Sequence, residues 1–442
     1  MSGSESTRAA RAGTLALLGG SPLRTEAFPP YNTIDENEKR EVMEVLDSGV
    51  LSAFLAGPND GFLGGPKVKK LERAWEEYFG VKHAVSMNSA TSALQAAVAA
   101  AAILPGDEVI LPPLTMCATA TAVLIYNGIP VFADIDPRTM NIDPARVAER
   151  ITPRTKAIYV VHLAGHPVDM DPIMELAAKH GLMVLGDNAQ SPGALYKGRN
   201  VGCIEHIGVF SLNCHKTIQA GEGGIAVTND DELAFRLRLV RNHGENCVAG
   251  FGRPELNILG FNLRMTEMEA AVAFHQLRKL KWLNAWRQDL AEYLSSEITK
   301  RFDFIEPPYV APDCTHVYYL YHMTYDAKKA GIPLDLFVKA IQAEGVPVFS
   351  RWGAPLYRLP IYKNRSAQGN SGWPFQAPSH HGQVDYSPGI CPNAEASEHS
   401  SLFIETLVRW PNTRSDMDLA LESFEKVMRH KDALLESCQP VR

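Results

Sequence analysis

A chain of 442 residues exceeds one ordinary domain, and its 45% hydrophobic and 21% charged residues exclude a disordered or fibrous protein. A formal net charge of −7, with no dense Lys/Arg stripe, argues against nucleic acid or a membrane surface as partner and leaves small-molecule chemistry. The seven cysteines (Cys117, Cys203, Cys214, Cys247, Cys314, Cys391, Cys438) are scattered and form no Cys-x-x-Cys pair. They read as free thiols in a reducing compartment, with no metal site expected.

In chain order, residues 1–13 are mostly Ser, Gly, Ala and Arg, lack a signal-peptide core, and read as a disordered tail. No later segment is long enough to span a bilayer, so the expected location is the cytoplasm. From 14 to 282 we expect a large domain. Strand-length apolar runs at 83–87, 108–111, 131–135, 157–162, 183–186, 207–212 and 224–228 alternate with helical patterns, which is the signature of an α/β fold. The prediction is a seven-stranded, mostly parallel sheet flanked by helices. Asn88 and Ser89 open an Ala-rich helix, and Met265, Met268, Ala271, Val272 and Leu277 mark another over 266–280. From 283 to 442 a strand at 318–325, a helix at 334–344, a strand at 346–351 and a helix at 417–430 make a smaller α+β domain. Residues 363–398 are rich in Gly, Pro, Ser, Asn and His without an apolar period, and read as a lid or as disorder.

Three short motifs carry chemistry. Lys216 sits in a glycine-ended turn between two strands, in Ser211-Leu212-Asn213-Cys214-His215-Lys216 followed by Gly221-Glu222-Gly223-Gly224. A lysine whose charge is penalised by desolvation attacks aldehydes, and a Schiff base with pyridoxal phosphate is a common use of that effect; a plain surface lysine is the alternative. Upstream, Met87-Asn88-Ser89-Ala90-Thr91 runs from strand directly into helix, so the first N–H groups of that helix are free for a phosphate, or the helix is merely well capped. Between them, an apolar strand delivers Asp187, with Gln190 three residues on, to the edge where open α/β sheets bind ligands. Such a carboxylate keeps a pyridine nitrogen protonated; alone, it also fits a turn residue. A phosphate cradle, a ring-nitrogen partner and an imine-forming lysine, each at a strand end, point together to pyridoxal 5'-phosphate.

With these motifs, and with Leu15 to Arg24, Pro105-Gly106-Asp107-Glu108-Val109, His162-Leu163-Ala164-Gly165-His166 and Gly260-Phe261-Asn262-Leu263-Arg264-Met265-Thr266-Glu267, the chain resembles the DegT/StrS-type sugar aminotransferases, fold-type I pyridoxal-phosphate enzymes. The resemblance implies that Lys216 forms the Schiff base, Asp187 pairs with the pyridinium nitrogen and Gln190 contacts the ring oxygen. It further implies that Ala90, Thr91 and Ser211 hold the phosphate, and that Asn262 reaches the phosphate of a neighbouring subunit in a homodimer with shared active sites. Two positions depart from the family pattern: Ala90 stands where glycine is usual, and Met116 where an aromatic ring commonly covers the cofactor. Met116 is taken as a cofactor contact, a core methionine being the alternative.

The implied activity is transfer of an amino group from glutamate or glutamine to a keto sugar or keto cyclitol, in amino-sugar or antibiotic biosynthesis. His162, Arg264, Trp352 and Tyr357 are candidate substrate contacts, each with a structural alternative. A related dehydratase branch carries histidine in place of the lysine. Here His215 is adjacent, but the residue five after Ser211 is Lys216. An aromatising synthase or a non-catalytic regulator of the same fold stays open.

Overall fold

The computed structural model describes residues 14–378, 380 and 384–437; the tail expected at 1–13 lies outside the described residues. Helices α1 (Glu36–Ser48) and α2 (Pro66–Phe79) precede the first strand, β1 (His83–Met87), which leads into α3 (Ala90–Ala100). Next come β2 (Glu108–Leu111), α4 (Cys117–Ile125), β3 (Ile129–Phe132), β4 (Thr155–Val161), α5 (Met170–His180), β5 (Met183–Asp187), β6 (Ile207–Ser211) and β7 (Gly224–Thr228). These seven strands form one sheet in the order β1-β7-β6-β5-β4-β2-β3. All pair in parallel except β7, which runs antiparallel to both its neighbours. The strands are buried on both faces, which is why they read as continuous apolar runs.

All seven expected strands are present. The third begins two residues early, at Ile129, and includes Pro130. A residue without an N–H is tolerated there because β3 is an edge strand.

After α6 (Asp231–Arg241), helix α7 (Glu267–Arg301) opens on a capping box between Thr266 and Glu269 and runs 35 residues unbroken. Its first half buries Ala270, Ala273, Leu277, Leu280 and Leu283 with Phe210 and Val227 of the large sheet. Its second half buries Leu290, Ala291, Leu294 and Ile298 in a second core with Tyr321, Phe337 and Phe424. The expected boundary at 282 therefore falls inside a helix that serves both domains. The two halves face different cores, so no single apolar stripe runs through the helix, and the sequence pattern ended near residue 280.

The second core belongs to a four-stranded antiparallel sheet built from β8 (Ile305–Glu306), β9 (Tyr321–Tyr325), β10 (Val348–Ser350) and β11 (Ser401–Ile404), with helices α8 (Leu334–Ala343) and α9 (Arg414–Arg429). The N-terminal residues, expected in the large domain, dock here instead. Leu15 is fully buried in this core, and the N–H groups of Ala16 and Leu23 donate to the Glu344 carboxylate, which is ion-paired with buried Lys426 at 2.8 Å. A buried carboxylate with a cation and two N–H donors is well satisfied, and it pins the segment.

Residues 363–398, expected in the small domain, pack largely against the β3 edge of the large sheet. Phe375, Tyr386, Cys391 and Ala394 are buried there with Phe132. The Tyr386 hydroxyl donates to the Pro130 carbonyl at 2.7 Å, and the N–H groups of Asn393 and Ala394 donate to the Asp134 carboxylate. This segment is an edge cover, and none of its described residues lines the cleft that holds Lys216.

Burial pushes the imidazoles of His166 and His322 down to about 4. The unfolded chain protonates a histidine near pH 6.5 whereas the folded one resists until about 4, so folding stability falls as pH drops through that window and levels off below it. Each group contributes a loss of up to about 3 kcal/mol. The thermal midpoint should therefore fall between pH 6.5 and pH 4, and His322→Gln should flatten that slope.

Candidate active site

Strands β1, β5 and β6 run in the same direction, so Asn88 and Ser89, Asp187 and Ser211 emerge at one edge of the sheet, and β7 starts there at Gly224. The small domain closes over this edge with Tyr319 and Trp352, leaving a cleft of about 400 Å³. Of the expected residues, Ala90, Thr91, Met116, Asp187, Gln190, Ser211, Lys216 and Trp352 all line it.

At one end Ser89 caps α3, its hydroxyl accepting the Ser92 N–H at 3.0 Å. The N–H groups of Ala90 and Thr91 have no acceptor within the helix and face the cleft with the positive end of the helix dipole. The Ser211 hydroxyl lies alongside, accepting only the Asn213 N–H at 3.3 Å. Strand β7 passes so close that a Cβ on Gly224 would lie 2.5 Å from the Ala90 nitrogen, so only glycine lets strand and helix start meet here.

The Asp187 side chain is buried. Its Oδ2 accepts the Thr119 hydroxyl at 2.8 Å and its Oδ1 accepts the Ala189 N–H at 3.1 Å. No cation of the described residues pairs with it, and a buried carboxylate without a cation is costly, so a protonated ring nitrogen fits the place left for it. Gln190 is equally buried; its Oε1 accepts the Ala164 N–H at 2.7 Å, and its Nε2 has no acceptor among the described residues.

Lys216 has no carboxylate partner among the described residues. Its Nζ lies 3.5 Å from the Tyr319 hydroxyl and 4.5 Å from the centre of that ring. Met116, at the N-cap of α4, is 62% exposed and lines the cleft, so it is not a core methionine. Trp352 lies against Phe403, with the ring centres 6.1 Å apart.

Three expected substrate contacts lie elsewhere. His162 is fully buried with both ring nitrogens engaged, Nε2 with Glu205 at 2.7 Å and Nδ1 accepting the Val168 N–H at 2.9 Å, so it cannot meet a substrate. Tyr357 is buried against Phe132, with its hydroxyl on Glu395. Arg264 bonds Asn242 at 3.0 Å and does not line this cleft. Asn262 is exposed, beside Leu259 and Phe261, also away from it.

Sequence reasoning missed Thr119, which holds Asp187, and Tyr319, which meets Lys216. Thr119 had a weak signal, one turn into the helix that Met116 caps; Tyr319 comes from another domain and had none.

Free N–H groups at a helix start, a buried carboxylate lacking a cation and an unpaired amine, arranged on this sheet, define a fold-type I pyridoxal-phosphate aminotransferase. Residues 32–378 match the model of the DegT/DnrJ/EryC1/StrS aminotransferase family, and the chain belongs to that family. It is 37% identical over 332 residues to GDP-perosamine synthase of Caulobacter vibrioides, covering 74% of this chain and 85% of the relative. It is 33% identical over 439 residues to L-glutamine:2-deoxy-scyllo-inosose aminotransferase of Streptomyces kanamyceticus, covering 95% and 98%. The crystal structure of an aminotransferase from Psychrobacter cryohalolentis superposes with a TM-score of 0.78 at 30% identity, covering 91% of this chain and 99% of that one.

Replacing Gly224 with alanine should force the strand away from α3 and weaken retention of the cofactor about tenfold or more, equivalent to about 1.4 kcal/mol, as read by spectroscopic titration of the apoenzyme.

Proposed function

We propose that this chain transfers an amino group from glutamine or glutamate to the carbonyl carbon of a keto cyclitol or keto sugar, in the biosynthesis of an aminated natural product. The observation that carries the reading is the Lys216 amine, without a carboxylate partner among the described residues, lining the same cleft as the buried Asp187 carboxylate. Relatives named for cyclitol amination align over nearly the whole chain, as the Streptomyces kanamyceticus enzyme does, and this supports a cyclitol acceptor ahead of a nucleotide-linked sugar.

In this reading the N–H groups of Ala90 and Thr91 and the hydroxyl of Ser211 bind the phosphate. Asp187, oriented by Thr119, would hold a proton on the ring nitrogen, Gln190 Nε2 would donate to the ring oxygen, and Met116 would add an apolar contact. When bound, the cofactor supplies an electron sink for the carbon that loses its proton. Lys216 Nζ takes that proton from the donor's α-carbon and returns a proton when the acceptor is aminated, a step that contributes about a hundred- to ten-thousand-fold. Tyr319 keeps the amine at the cleft wall, and Trp352 offers an apolar face to the acceptor ring. Exposed Asn262, set among the exposed side chains of Leu259 and Phe261, serves the phosphate of a partner subunit in a homodimer. The enzyme works in the cytoplasm, consistent with free cysteines at the six described positions.

Lys216→Ala should abolish turnover while leaving the thermal midpoint unchanged. A variant that retains near wild-type turnover removes the assignment. Asp187→Asn should lower the rate of both half-reactions, followed by the absorbance of the cofactor on mixing with glutamine and then with keto cyclitols.

A further inference from the structure

A second cavity of about 400 Å³ lies beside the cover over the β3 edge, between the chain at 357–365 and the chain at 385–388. The buried rings of Tyr357 and Tyr386 form its wall, packed on Phe132 with ring centres 5.7 and 5.9 Å away. Three cations line it, and they differ in what meets them. The Arg358 guanidinium is paired with Glu395 at 3.1 Å and Glu398 at 2.7 Å. The Lys363 amine, at the end of the one-turn helix Pro360–Lys363, has no hydrogen bond or ion pair with the described residues. Arg365 directs one N–H to the Val384 carbonyl at 3.0 Å and has no carboxylate partner among the described residues.

The turn that joins these two unmet cations is built in an uncommon way. The Arg365 N–H returns to the Tyr362 carbonyl at 2.9 Å and the Ser366 N–H to the Ile361 carbonyl at 3.1 Å, a helix end whose left-handed position is usually glycine. Here arginine takes that position, at φ 49°. Side chains held in such backbone gather at ligand clamps, and this one lines the cavity beside Lys363.

The remaining charge on the wall is Asp385, whose carboxylate accepts the Ser387 N–H at 2.8 Å and makes no ion pair with the described residues. A neutral sugar leaves both cations unmet, and a polyphosphate meets repulsion from Asp385. A phosphate monoester carrying hydroxyls satisfies all three: its phosphate on Lys363 and Arg365, its hydroxyls donating to Asp385, its carbon ring on the tyrosine wall.

The chain from Trp352 to Arg358 joins this cavity to the active-site cleft. Trp352 lines the cleft and Tyr357 and Arg358 line the second cavity. Between them the Leu356 N–H donates to the Pro113 carbonyl at 2.8 Å, and Trp352 is flanked by positive-φ backbone at Arg351 and Gly353. We propose that the second cavity binds a phosphate monoester of a small sugar or polyol, and that its occupancy moves Trp352 through this strap. The site is separate from the proposed amino transfer and does not depend on it.

The test uses holoenzyme, in which the helix start at Ala90 and Thr91 is already occupied. Glucose 6-phosphate should bind about tenfold or more tightly than inorganic phosphate in titration calorimetry, and glucose should give no heat. Lys363→Ala and Arg365→Gln should each weaken glucose 6-phosphate about tenfold or more, while Arg365→Lys keeps part of the affinity because the charge stays and only the planar fork is lost. Lys363 holds no contact within the chain, so its truncation tests the site even where Arg365→Gln disturbs the turn. Tryptophan fluorescence should change on binding, and Trp352→Phe should remove most of that change without altering the calorimetric affinity. Absence of glucose 6-phosphate binding, equal affinity for inorganic phosphate, or binding indifferent to Lys363→Ala overturns the site. A fluorescence change that survives Trp352→Phe, or no change in wild type, overturns the link to the cleft.

Discussion

A carboxylate placed in the interior without a positive charge is one of the more expensive things a fold can hold, and Asp187 is such a group. It sits at the end of β5, a strand with neighbours on both sides. Thr119 and the Ala189 N–H fix its two oxygens but bring no charge. The sheet therefore stores an electrostatic demand that the described residues leave unmet, and the same cleft holds the helix start at Ala90 and Thr91 and the amine of Lys216.

How legible this was follows from where each residue's partners lie. Buried strands bounded by turn residues announce themselves as apolar runs, so the sheet could be read nearly whole; only Pro130 misled, because the sequence does not say which strand is an edge. The groups that hold the cofactor in this reading stand at strand ends or in short turns next to them, and local sequence carries that information. His162 stands at a strand end too, but its partner Glu205 is 43 residues away and ties it into an interior hydrogen bond. Tyr319 comes from the small domain, and its approach to Lys216 is a product of docking that no local pattern reports.

Docking in turn depends on α7. One helix supplies a wall to each core, and the small-domain loop that carries Tyr319 is fastened to it by Arg287. Hinge motion between two bodies joined by a flexible linker is thereby replaced by motion that must bend or tilt a continuous rod. The N-terminal segment adds a second tie on the small-domain side through the buried Glu344–Lys426 pair.

The cover over β3 has a consequence for the life of the chain in a crowded solution. An open sheet ends in strands whose outward N–H and C=O groups recruit other strands, and β3 is such an end. Proline at position 130 removes one donor, and the described residues of 363–398, anchored through Tyr386 and Asn393, occupy the rim. A stretch that looks dispensable by composition thus acts as a guard against stacking of one molecule's sheet on the next, and trimming it would cost solubility before it touched chemistry.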